Sequence, residues 1–274
     1  MSVESATFAG DGVGRTMHAA LYGELAGYTA SDGQGRRTQD AYSLFYARSA
    51  AMGWLTPAVA GAEGGLWGMN EGEATPGTGS PVSGVAFFQV SLTGPTRDAV
   101  LPVQPFLACV SDVVARLGQL RLDAVQVLLP QREAGAPGTL AAPSGKRIAG
   151  ALLDSRNWFA DRDPKLRAQL RVTLDGGPDP SVREAASAIM QYVMEVSQNV
   201  FVFDSFSLAA DDHLVLWPAP LDRPTTEFMH HRVTFKGRLV EWSLDALGWL
   251  AAFIADVASR NGITAPLMLT ADHP

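Results

Sequence analysis

The sequence predicts an α+β fold built from four β-α-β units, on three observations. A short pattern recurs at 89–94 (QVSLTG), 171–176 (RVTLDG) and 232–237 (RVTFKG), with a weaker fourth copy at 6–10 (ATFAG). Each copy is a β-rich run ending in glycine, followed by a helical pattern and then a second β-rich run. The helical segments carry apolar residues along one stripe, so the helices cover one face of a sheet and leave the other bare. Two such units make a split βαβ, so the chain reads as two ferredoxin-like halves. Packing the bare faces together closes their sheets as an eight-stranded α+β barrel or sandwich.

Taken in order, the first unit opens with the strand at 6–10 and a glycine turn, continues as a helix over 16–25, and closes near 41–47. That last stretch (AYSLFYA) suits a strand or a helix equally. The second unit places a helix after Pro102 and Pro105, ending near Gly118, and a strand at 123–129. In the third, Asp179 caps a helix with Pro180 at its first position, where a missing N–H costs nothing. Val182, Ala186, Ile189, Val193 and Val196 recur on one face, and a strand follows at 200–208. In the fourth, Ser243 caps a helix whose stripe is Leu244, Leu247, Ala251, Ile254 and Ala258; Gly262 ends it and a strand follows at 263–270. Trp249, Leu250 and Phe253 widen that stripe beyond one face, which predicts a homodimer interface or a covering chain segment. The halves span 1–135 and 145–274, joined by an Ala/Gly/Pro-rich linker at 134–146. The run 61–81 holds seven glycines besides Trp67 and Met69, and reads as a solvated insertion or a lid.

Composition narrows the function classes. The chain has 274 residues, 47% hydrophobic and 18% charged, with net charge −7. No basic stripe is present, which argues against a nucleic-acid partner. The single cysteine, Cys109, excludes an internal disulfide and a thiolate metal cluster, and its apolar neighbours predict a small buried hydrophobe. No basic-then-apolar leader and no membrane-length apolar run occur, which predicts a soluble, cytoplasmic protein. The run 9–16 (AGDGVGRT) has the spacing of a phosphate-binding loop. Arg15 stands where the compact lysine is needed, and the preceding run is a poor buried strand, so these glycines are read as a turn. Hydrolase and zinc-enzyme motifs are missing. Asp211, Asp212 and His213 read as a polar hairpin turn.

Side chains alternate across a strand, so the repeat sorts them by face. Val90, Leu92, Leu170, Val172, Leu174, Met229, His231, Val233 and Phe235 go under the helices, His231 as a hydrogen-bonded core residue. The other face carries Phe87, Gln89, Gln169, Arg171, Phe228, His230 and Arg232. Two readings stay open: ordinary surface, or the lining of a cavity with aromatic walls and two guanidinium groups. In the second, Arg171 and Arg232 anchor the acidic end of an apolar ligand, and His230 serves as acid–base group or axial ligand.

The four units and the repeat (Q/R)-V-(S/T)-(L/F)-x-G resemble the dimeric α+β barrel superfamily, in particular its tandem-fused members. The resemblance covers nearly the whole chain but rests on architecture. It implies a protein that binds and shields a hydrophobic molecule with an acidic end, of fatty-acyl, polyene or polyketide-like type, with no cofactor. It equally admits a cofactor-independent oxygenase or cyclase acting through His230, or a haem enzyme, and a polyketide or enediyne setting. The haem-peroxidase signature G-x-x-D-G is absent, which weakens the haem alternative.

Overall fold

Alternation of buried and exposed side chains decides the strands. The structure, a computed structural model, describes residues 16–27, 40–56, 64–69, 84–92, 100–131, 150–197, 199–208 and 230–273. Among the described residues there are eight strands: β1 (Thr16–Ala26), β2 (Trp67–Met69), β3 (Gly84–Leu92), β4 (Gln119–Leu129), β5 (Ala168–Asp175), β6 (Phe201–Ser207), β7 (Arg232–Leu239) and β8 (Leu267–Asp272). Five α-helices accompany them: α1 (Ala41–Ala51), α2 (Val103–Leu117), α3 (Gly150–Arg156), α4 (Ser181–Val196) and α5 (Leu244–Arg260).

All eight strands form one antiparallel sheet in the order β2-β3-β1-β4-β8-β5-β7-β6. In each half the strands run second, third, first, fourth in chain order, and the two fourth strands meet at the centre. Residues 124–129 of β4 pair there with 267–272 of β8. The predicted barrel or sandwich of two closed sheets is therefore not what forms. The halves join edge to edge into one sheet that is not closed into a barrel.

The helix-bearing face holds one core that crosses the junction. Met17, Ala19, Leu21, Val125, Val127, Leu170, Val172, Val233, Phe235, Leu267 and Leu269 join there in one cluster with buried residues of α1, α2, α4 and α5. The backbones of α2 and α5 lie so close that a Cβ on Gly248 would stand 2.8 Å from the Cα of Gln104. Residues 246–258 of α5 are buried within the chain itself, and Trp249 donates its indole N–H to the Leu152 carbonyl of α3 at 3.0 Å. The surplus apolar surface of α5, read from the sequence as a homodimer interface or a face under a covering chain segment, is covered within the chain by α2, α3 and α4. Among the described residues no helix is long and apolar enough to cross a membrane.

The Ser243 cap follows the sequence, whereas α4 begins at Ser181, one residue later than read, with Pro180 as its N-cap. The Asp179 carboxylate accepts from the Ser181 N–H (2.9 Å) and Ser243 Oγ from the Ala246 N–H (3.2 Å). The first unit departs from the sequence reading. Residues 16–25, read as a helix, belong to β1, which pairs on its two sides with β3 and β4. Met17, Ala19 and Leu21 face the helices while His18, Ala20 and Tyr22 face away, and tertiary pairing overrides intrinsic propensity. Residues 41–51 are helical, with Asp40 accepting from the Ser43 N–H at 2.7 Å and Leu44, Phe45 and Ser49 turned inward. Trp67 and Met69 belong to the edge strand β2 rather than a solvated insertion, and Trp67 is fully buried, its indole N–H on Ser49 Oγ at 3.3 Å. Cys109 is buried as read, and burial pushes its thiol up to about 11. The strand at 6–10, the glycine run with Arg15, the linker 134–146, residues 211–213 and Phe228 lie outside the described residues.

β1 bends at a bulge where its register to β4 shifts between Tyr22 and Gly23. Gly23 has φ +148°, and a Cβ there would overlap the Arg121 carbonyl oxygen. Gly27 has φ +84° with open space around it. Gly27→Ala should therefore cost about 1 kcal/mol, the penalty of a left-handed alanine alone. Gly23→Ala should cost about 3 kcal/mol or more, because strain and overlap add. Urea denaturation of both variants checks this, and equal losses would remove the bulge from the account.

Candidate functional site

Turned away from the helices, the sheet presents cross-strand rows of side chains. The central row runs Phe87, Ala20, Gln126, Thr270, Thr173, Thr234 and Ser207 across β3, β1, β4, β8, β5, β7 and β6. Tyr22 Oη donates to Gln126 Oε1 (3.4 Å), Gln126 Nε2 donates to Thr270 Oγ1 (3.1 Å), and the hydroxyls of Thr173 and Thr234 share a bond of 3.0 Å. Gln126, Thr234 and Thr270 are buried, so these partners meet a real requirement. On one side lies the row Gln89, His18, Leu128, Met268, Asp175, Arg232; on the other Tyr22, Ala124, Asp272, Arg171, Lys236.

Counting outward from the β4–β8 junction gives the same positions in both halves with different chemistry. His18 corresponds to Arg171, Leu128 to Asp272, Gln89 to Lys236, Phe87 to Thr234, Ala20 to Thr173 and Tyr22 to Asp175. The first half is neutral and partly aromatic: Ala20, Tyr22, Ala124 and Phe87 form their own small apolar cluster, and His18 lies 5.5 Å ring to ring from Phe87. Burial pushes His18 down to about 4 and Tyr22 up to about 12, so both are uncharged at neutral pH. The second half is ionic.

The two arginines singled out from sequence, Arg171 and Arg232, are occupied. Arg171 Nε donates to both Asp272 oxygens (3.0 and 3.1 Å) and its Nη2 to Oδ2 at 2.8 Å, a fork on a carboxylate with 9% of its side chain exposed. Arg232 Nε donates to Asp175 Oδ2 at 2.8 Å. Asp175 also accepts the Gly177 N–H at 2.7 Å, and His230 Nδ1 lies 2.9 Å from its Oδ2. Burial pushes the Asp175 carboxyl up, but the bonds from Arg232, Gly177 and His230 and the Arg232 charge outweigh it and hold it below the ordinary carboxylate value. Arg238 and Asp204 stand 3.9 Å apart, both about half exposed. Lys236 is exposed beside Arg171 and has no ion-pair partner among the described residues.

Of the residues singled out from sequence, Phe87, Gln89, Gln169, Arg171 and Arg232 stand on this face. His230 adjoins it at the entry to β7, and only it and Arg232 share a partner, Asp175. Gln169 sits apart beside Arg238. His231 is part-buried, and its Nδ1 has no hydrogen-bond partner among the described residues, unlike the bonded histidine expected. Sequence reasoning missed Asp175, Asp272, Lys236, Gln126, His18 and Tyr22. Asp175 was within reach, since it shares the parity of Arg171; His18 and Tyr22 were hidden by the helical reading of 16–25. Elsewhere a groove of about 430 Å³ lies between α1 and α2, lined by Leu44, Ala47, Ala51 and Val113 with the Arg48–Asp112 ion pair (2.6 Å) at its edge. No group of three or more His, Cys, Asp or Glu side chains suited to a metal occurs among the described residues. Compared with known proteins, the chain matches no family model, no curated protein and no solved structure.

Two outcomes follow from this geometry. Arg171→Met strands the Asp272 carboxylate and should cost about 2–3 kcal/mol, and adding Asp272→Leu should recover most of it. Denaturation of the double-mutant cycle measures this, and simple additivity would mean the pair does not interact. The second concerns pH. His18 binds a proton in the unfolded chain below about 6.5 but in the fold only near 4, so stability is full above pH 6.5 and falls as pH drops from there to 4. The loss is up to about 3 kcal/mol. Asp175, with its folded value depressed, adds stability above its ordinary value of 3.8 that is lost as pH falls further. His18→Gln should flatten the upper window alone, and an unchanged slope there would place His18 in water.

Proposed function

We propose that the helix-free face of the sheet binds an amphiphile with an acidic end, such as a fatty-acyl, polyene or polyketide-like molecule. The observation that carries this reading is the split of one geometry into two chemistries. Equivalent positions hold Phe87, Ala20, Tyr22 and Leu128 on one side of the junction and Thr234, Thr173, Asp175 and Asp272 on the other. Apolar walls with a few polar anchors are what a small-molecule site needs. The strand order of each half also supports reading them as ferredoxin-like copies, akin to tandem members of the dimeric α+β barrel superfamily.

The anchor differs from the one expected. Arg171 and Arg232 are already neutralised by Asp272 and Asp175, so Lys236 carries the uncompensated charge beside Arg171. The apolar tail lies along the part-buried Phe87 and Leu128, with the buried Ala20 and Tyr22 as the wall behind them. The acidic end reaches Lys236, with the Arg171 guanidinium as cross-strand neighbour.

Calorimetric titration with palmitate and with hexadecyltrimethylammonium tests the reading. Palmitate should bind and the cationic amphiphile should bind more weakly. Lys236→Met should lower palmitate affinity roughly 10-fold, the lower end of what a hydrogen bond to a charged group contributes. Equal affinity for both amphiphiles, or none for palmitate, would sink it.

A further inference from the structure

From the contacts around Asp175 we infer a general-base site: His230, held by Asp175 and flanked by Arg232, takes a proton from a carbon acid. This goes beyond ligand binding and does not depend on an amphiphile occupying the face.

Three features make the cluster more than a surface ion pair. First, Asp175 is held from three directions, by the Arg232 Nε, the Gly177 N–H and His230 Nδ1, with 17% of its side chain exposed. An ionised carboxylate only accepts, so Nδ1 donates in that contact, and in the neutral tautomer this leaves the lone pair on Nε2. Second, the backbone fixes the approach. His231 donates its N–H to the Gly177 carbonyl at 2.9 Å and Gly176 donates to the His231 carbonyl at 3.1 Å, which ties the start of β7 to the turn after β5. Third, exposure runs opposite to support: the His230 side chain is 49% exposed while Arg232 is 13% exposed. The imidazole is thus half exposed to a ligand, while its support is buried. Arg232 spends only its Nε on Asp175, and among the described residues its two terminal nitrogens have no partner.

These groups suit an enolisable carbonyl compound. Nε2 removes a proton from the carbon next to the carbonyl, and the C–H electron pair becomes a C=C bond. The carbonyl π pair moves onto oxygen, which accepts hydrogen bonds from the terminal N–H groups of Arg232. In a β,γ-unsaturated carbonyl compound the enolate so formed is a dienolate: the oxygen pair re-forms the C=O bond, the double bond shifts to the α,β position, and the γ carbon takes the same proton back from Nε2, an isomerisation that consumes no oxidant or reductant. Asp175 is a positioning residue here, and His230 the catalytic base.

The probe is 5-nitrobenzisoxazole. A base takes its ring C–H proton, that electron pair completes a nitrile, the N–O bond breaks, and a coloured phenolate leaves; the proton passes from the imidazole to water. The full-length protein should open the ring with saturation kinetics above the buffer rate, and His230→Gln should lower kcat at least 10-fold. Added imidazole should restore turnover to His230→Gly. Asp175→Asn should lower kcat with little change in KM, whereas a merely structural aspartate would lose activity only in proportion to the protein unfolded by circular dichroism. A parent rate equal to buffer, an undiminished His230→Gln, or failure of imidazole rescue would each overturn the inference.

Discussion

The antiparallel pairing of β4 with β8 is the constraint on which the rest of the structure depends. Residues 124–129 and 267–272 hydrogen-bond as edge strands, each the last strand of its half. This removes two sheet edges at once, edges that would otherwise be open to pairing with another chain. It also sets both helix layers on the same side. α2 and α5 can then pack backbone to backbone at Gly248, and a single core crosses the junction.

From the same pairing comes the arrangement of the opposite face. Because β1 and β5 lie one strand away from the junction on either side, positions in one half have counterparts in the other. Where the first half sets neutral His18 beside Leu128, the second sets Arg171 on Asp272. The ionic version is costly to maintain, since each carboxylate is largely removed from water and relies on its guanidinium. The sheet interior does not require it: Leu128 and His18 occupy the same geometry without a charge pair. That contrast is why the face is read as a surface adapted to a ligand with unlike ends rather than as generic sheet.

The repeat made three of the four β-α-β units legible, because in those units pattern, caps and alternation agree. Ser243 and the stripes of α4 and α5 stand where the sequence placed them. The first unit failed where signals conflict. Thr16–Ala26 has helix-forming composition but occupies the centre of the sheet's first half, paired on both edges, and no local rule reports that. Trp67 sits in a glycine-rich run whose three-residue strand is too short for periodicity to register. At the site, the parity argument turned Arg171 and Arg232 to the correct face but left their occupancy unread. Asp272 is 101 residues from Arg171 in sequence, and only the β5–β8 pairing brings them together. Lys236 gains its meaning from that occupancy.

The most direct test of the central claim is to locate a bound amphiphile. Palmitate carrying a terminal diazirine can be photolysed on the protein and the modified peptides mapped by mass spectrometry. The account predicts labelling of the peptides that hold Tyr22, Phe87 and Leu128, on the helix-free face of the first half. Labelling confined to Leu44, Ala47, Ala51 and Val113, in the groove between α1 and α2, would contradict it.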